Sequence, residues 1–91
     1  MARYFFDFHD AQFSTRDHDG TECADRDAVS SEALRALCEI AADHPERYAG
    51  TKLRVAVRDA TDRPVLTASI NLMTAWHVDE ARIGEARSEA A

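Results

Sequence analysis

The chain has 91 residues, 31% of them charged, and a formal net charge of −6. That length supports one hydrophobic core between two layers rather than two domains. No apolar run is long enough to cross a membrane as a helix, and an acid excess is a poor match to the phosphate neutralisation on which general nucleic-acid binding relies. The N-terminus enters Arg3-Tyr4-Phe5-Phe6-Asp7 without a basic segment, an apolar stretch and a cleavage site, so a cytoplasmic location is expected. The whole acid excess lies in residues 1–50, while residues 51–91 balance acid against base. Such asymmetry suits contact with a basic protein surface, and also simply keeps a small protein dissolved.

Arg3 to His9 alternates, with Tyr4, Phe6 and Phe8 on one side and Phe5, Asp7 and His9 on the other. This is the pattern of a half-buried strand. Phe5 is the apolar residue on the polar face, and an exposed Phe there suits either a harmless single or a subunit contact. Asp10-Ala11-Gln12 reads as a turn and Gln12 to Arg16 as a short second strand. Asp17-His18-Asp19-Gly20 is a firm turn signal, since Gly20 supplies a positive φ and Asp bonds its own backbone. Thr21 to Ala24 leads into the longest helical pattern, Asp25 to His44. Val29, Ala33, Ala36, Leu37, Ile40 and Ala41 share one arc of that helix, with Leu34 at its edge. Glu32, Arg35, Glu39 and Asp43 take the other side. Asp25 is the expected N-cap, Asp27 favours the positive end of the helix dipole, and Pro45 stops the helix.

Glu46 to Gly50 leads out of the helix. Thr51 to Arg58 alternates, with Leu53, Val55 and Val57 inward and Lys52, Arg54, Ala56 and Arg58 outward. Asp59 to Pro64 is a polar hairpin loop. Val65 to Met73 is the partner strand, with Leu66, Ala68, Ile70 and Leu72 toward the core. If the first strand neighbours this hairpin, Asp7 and His9 face the outward Lys and Arg. After Met73 the composition turns to Ala, Glu and Arg. Trp76 is expected to pack on the domain, and Asp79 to Ala90 to form a weak, frayed helix interrupted by Gly84. The expected organisation is one domain over 1–73 with a tail over 74–91.

Chemistry-bearing residues are few. His9, Asp10, Asp17, His18, Asp19 and Cys23 include metal-ligand types, but their spacing fits no zinc pattern. A calcium loop aligned on Asp17 and Asp19 would place Arg26 where the bidentate glutamate belongs. No metal site and no cofactor are expected. A nucleophilic Cys23 would need His9 or His18 beside it. Cys23 and Cys38 are isolated, as free thiols of a reducing compartment.

The residues Arg3-Tyr4-Phe5-Phe6-Asp7, Asp17 to Gly20-Thr21-Glu22, the Ala/Leu helix from Glu32 to Leu37, Val55-Ala56-Val57-Arg58-Asp59 and Arg63-Pro64 resemble a family of short bacterial proteins of unknown function. They share the order RYFFD…D..G.E…A…AL…V.VRD…P, and the resemblance covers about residues 3–72. It implies a small α+β module and a bacterial cytoplasm, and carries over no catalytic residue.

The expected architecture is α+β: an antiparallel sheet of three or four strands in the order β-β-α-β-β, with the helix across one face. The expected function is a small acidic, non-catalytic protein-interaction module, regulatory and homodimeric, whose partner is a protein, a second copy included. The partner-binding candidates are Phe5, Asp17, Asp19, Glu22, Asp27, Glu32, Glu39, Arg54 and Arg58. One alternative is an acidic inhibitor of anti-CRISPR or anti-restriction type, whose carboxylates mimic phosphates in a nucleic-acid-processing complex. The other is a small metal- or thiol-dependent enzyme.

Overall fold

Aromatic alternation makes the first strand the hub of the sheet. In the computed structural model, which describes residues 1–78, β1 (Ala2–His9) pairs antiparallel with β2 (Ser14–Thr15), β3 (Thr21–Cys23) and β4 (Lys52–Arg58), and β4 pairs with β5 (Pro64–Asn71). The sheet has five strands in the order β2-β1-β4-β5, with β3 also on β1. The α+β class, with one long helix against an antiparallel sheet, is as the sequence implies. The added strand is β3, which the sequence suggests only as a lead into the helix. Three residues carry too little alternation to be seen without their partner strand.

Phe6 faces Val57 and Phe8 faces Val55, while Val57, Val55 and Leu53 face Leu66, Ala68 and Ile70. This register places every inward residue of the three long strands on one face. Against that face packs α1 (Arg26–Asp43), mainly across β4 and β5. Its buried residues are Val29, Ala33, Leu37 and Ala41. Two of the four are alanines, which lets the backbone approach the sheet. The Asp25 carboxylate caps the helix by accepting from the Ala28 amide at 2.9 Å. Beyond His44 a single 3₁₀ turn, Pro45–Tyr48, carries Tyr48 into the core. Phe6, Cys23, Leu53, Val55 and Val57 complete it.

One expectation is overturned. Trp76 does not pack on the domain: it is 99% exposed, in the stretch without secondary structure that follows β5. β5 ends at Asn71, five residues before Trp76, so no strand pairing holds the indole against the core. The helix expected over 79–90 lies outside the described residues.

Candidate functional site

The face of the sheet turned away from α1 carries an ion network. Asp7, on β1, is a buried carboxylate. Arg58, on β4, donates from Nε to its Oδ2 at 2.9 Å and from Nη2 to its Oδ1 at 3.4 Å. The same Nη2 donates to the Asp17 carbonyl at 2.7 Å, and Nη1 reaches Asp62 at 3.2 Å. The Asp17 amide donates to Asp7 Oδ1 at 2.9 Å. The Asp17 carboxylate turns inward as well. It accepts from the amides of Phe6, Asp19 and Gly20, each at 3.1 Å. Asp17 therefore supplies an acceptor to β1 where the chain between β2 and β3 loops away, satisfying an amide that would otherwise stand unpaired. Burial pushes both carboxyls toward higher pKa, but the Arg58 hydrogen bond at Asp7 and the three amides at Asp17 outweigh it, so both lie below the ordinary value.

Phe5 lies half-buried on this face, covered by the Arg58 guanidinium 4.8 Å from its ring centroid and approached by Gly20. Phe5, Asp17 and Arg58 thus meet in one assembly. Arg54 is exposed on the same face, opposite His9. Arg3 holds the Asp19 carbonyl at 2.7 Å and the Glu22 carboxylate at 2.9 Å. The helix acids are elsewhere. Glu32 and Glu39 share Arg35, at 2.7 and 2.8 Å, and Asp27 is exposed in the first turn. The structure therefore divides the nine sequence candidates between the two sides of the molecule, and most of their charges are paired within the chain.

A second buried carboxylate was missed by sequence reasoning. The Asp10 side chain is 7% exposed. It accepts from the Gln12 and Phe13 amides at 2.8 and 2.7 Å, from the Tyr48 hydroxyl at 3.1 Å, and pairs with Arg47 at 3.3 Å. Those amides and then Tyr48 and Arg47 hold its carboxyl below the usual range. Arg47 also lies over Phe13, 4.6 Å from the ring centroid. The turn at Asp10 was legible; its partner Tyr48, on the far side of the helix in sequence, was not.

The Cys23 thiol and the His9 imidazole are not brought together. Cys23 sits opposite Ala2 and His9 at the other end of β1, a separation of roughly 23 Å at about 3.3 Å per residue. His9 Nδ1 lies 2.9 Å from Ser14 Oγ. Burial, then the charges of Glu32, Glu22 and Asp25, raise the Cys23 thiol pKa, the opposite of nucleophile activation. Among the described residues, no group of three His, Cys, Asp or Glu side chains is placed to hold a metal ion.

What the described surface leaves unsatisfied is the far edge of the sheet. β5 has eight residues, and among the described residues no strand pairs with its outer edge. Residues 64–78, Pro64 through Val78, contain no Asp, Glu, Lys or Arg. Natural edge strands are commonly blunted by charge, and this one is not. Val65 is 41% exposed, and Met73, Trp76 and Val78 beyond the strand are 79%, 99% and 67% exposed. At the Pro64 end lies a cleft of about 250 Å³ lined by Tyr4, Arg26, Val29, Val65 and Leu66.

A sheet with one helix-covered face, a polar face carrying its own ion pairs and a neutral edge that is open among the described residues defines a small α+β module. The chain belongs to the family described as Domain of unknown function (DUF6894), which matches residues 3–71. No curated protein and no solved structure matches the chain. The family match ends at Asn71, the last residue of β5, so the exposed apolar arm lies beyond it. Among the described residues, no helix is long and apolar enough to cross a membrane.

Proposed function

We propose that this chain is a non-catalytic protein-interaction module of regulatory type that binds through the open edge of β5. The observation that carries the reading is that eight-residue edge, neutral and unpaired among the described residues, continuing into an exposed apolar arm. An extended polypeptide added there gains main-chain hydrogen bonds from the edge and apolar contacts from alternate side chains. The polar groups that could serve chemistry support the same reading. Asp7, Asp10, Asp17 and Arg58 already bond to one another, to Tyr48 or to the backbone. The phosphate-mimic alternative draws less from the geometry, because Glu22, Glu32 and Glu39 are paired with arginines.

The test is capture on immobilised wild-type chain and on Ser69→Pro, which removes an amide from the edge strand, offered both a differently tagged copy and a bacterial lysate. Retention of a discrete polypeptide by the wild type and its loss from a folded Ser69→Pro is expected. Retention of nothing, or equal retention by both, would overturn the reading.

A further inference from the structure

We infer that the occupant of the β5 edge is a second copy of this chain, paired antiparallel about a two-fold axis so that each copy places Trp76 in the cleft at the Pro64 end of the other. The inference rests on the module reading above and names its partner.

The arm cannot serve its own cleft. From Leu72 back to Val65 the strand spans roughly 23 Å at about 3.3 Å per residue. From Leu72 to Trp76 the backbone reaches at most about 14 Å, at up to about 3.6 Å per residue. In addition, the arm leaves β5 at the end away from the cleft. A copy running antiparallel along the same edge removes both obstacles, because its Pro64 end then lies beside the first copy's arm.

Register and facing agree. A two-fold axis perpendicular to the sheet keeps the helix-bearing faces of both copies on the same side. Residues that face across such a pair share a face, so the axis passes beside a residue paired with its own equivalent. With Ile70 on that axis, Trp76 reaches the Pro64 end of the second copy, where a bulge in β5 sets Val65 as an extra residue between Leu66 and Pro64 and Val65 and Leu66 line the cleft. Trp76 also continues the alternation of Leu66, Ala68, Ile70 and Leu72, which pack toward the core. If the arm extends as a strand, its indole points to the helix side of the sheet, where Tyr4, Val29 and Leu66 form the cleft and Arg26 can lie over the ring. A cleft of about 250 Å³ has room for one indole.

The charge pattern is compatible with a second copy at this edge and offers a charged segment no partner. Two chains of −6 repel. Residues 64–78 are a surface on which the copies meet without bringing acidic side chains together. An indole that is 99% exposed in the single chain is the kind of residue that anchors an interface once buried.

Trp76 is the only tryptophan, so its emission reports the proposed contact directly. The experiment combines light scattering with acrylamide quenching of that emission across a dilution series of the full chain. Dimer mass at high concentration is expected, with emission moving to shorter wavelength and quenching falling as dimer forms. Trp76→Ala and Val65→Lys, both at exposed positions, are each expected to weaken association at least tenfold. Mixed together they should associate better than either alone, because the mixed pair restores one intact arm in one intact cleft. A monomer at every concentration, or a dimer in which Trp76 stays fully quenchable, would overturn the inference. A monomer that still captures a lysate polypeptide through an edge sensitive to Ser69→Pro would overturn the second-copy occupant alone and leave the module reading standing.

Discussion

Replacing Gly20 by alanine tests how the loop between β2 and β3 is held against β1. Gly20 has φ +76°, and a Cβ there would lie 2.8 Å from Arg3 Cγ, 2.9 Å from Phe5 Cε2 and 3.0 Å from the Tyr4 carbonyl oxygen. The left-handed backbone alone costs a non-glycine residue about 1–2 kcal/mol. The Arg3 side chain can swing aside, but the Tyr4 carbonyl belongs to β1, so the loop must shift and strain the Asp17 hydrogen bonds. Overpacking of this kind costs a further 1–3 kcal/mol, roughly. Gly20→Ala is therefore expected to destabilise by about 2–5 kcal/mol. Gly50 provides the control. It has nearly the same φ, +78°, but an added Cβ would meet nothing within 4 Å, so Gly50→Ala should cost only the backbone share of about 1–2 kcal/mol. Urea unfolding followed by circular dichroism measures both. Equal losses at the two positions would refute the close approach of the loop to Phe5 and β1.

Thiol titration gives a second outcome: Cys38 is exposed and Cys23 buried with a raised pKa, so one thiol should react promptly in the native protein and the other only on unfolding. Asp7 and Asp17 have folded-state pKa values below the ordinary carboxyl value. Their stabilisation is present above the unfolded-state pKa, about 3.9, and is lost as pH falls through the lowered folded values. Stability should drop on acidification below about pH 4, and the drop should shrink in Asp7→Asn and Asp17→Asn; an unchanged acid profile in both variants would contradict the network. Leu37 is 1% exposed under the helix, so Leu37→Ala should cost about 2–5 kcal/mol in the same unfolding assay.

Local patterns in the sequence carried most of the fold. The Asp25 cap, the Val29–Ala33–Leu37–Ala41 stripe, the Asp59–Arg63 turn and the alternation of Leu53, Val55 and Val57 are all set by neighbours a few residues away. What sequence reasoning missed depends on contacts between distant segments. That Asp7 would meet an outward cation of the hairpin strand is legible in the alternation; that the partner is Arg58, 51 residues away, and that the pair is buried is not. Tyr48 reads as part of a connection until the 3₁₀ turn brings it to Asp10, 38 residues away. The turn bonds of Asp17 to the Asp19 and Gly20 amides are legible in the local sequence, whereas its bond from the Phe6 amide of β1 and the pairing of Glu22 with Arg3 depend on distant strands. Trp76 was expected to be an anchor because large aromatics usually are; its exposure follows from where β5 ends, and strand ends are the least legible part of an alternating pattern.

The claim at the centre of this account is that the edge of β5 is a binding edge for a second copy. Hydrogen exchange read by mass spectrometry on peptides spanning residues 64–78, at several protein concentrations, addresses it most directly. The account predicts that exchange in this segment slows as concentration rises while exchange in α1 stays constant. Exchange in residues 64–78 that is fast and the same at every concentration would contradict it.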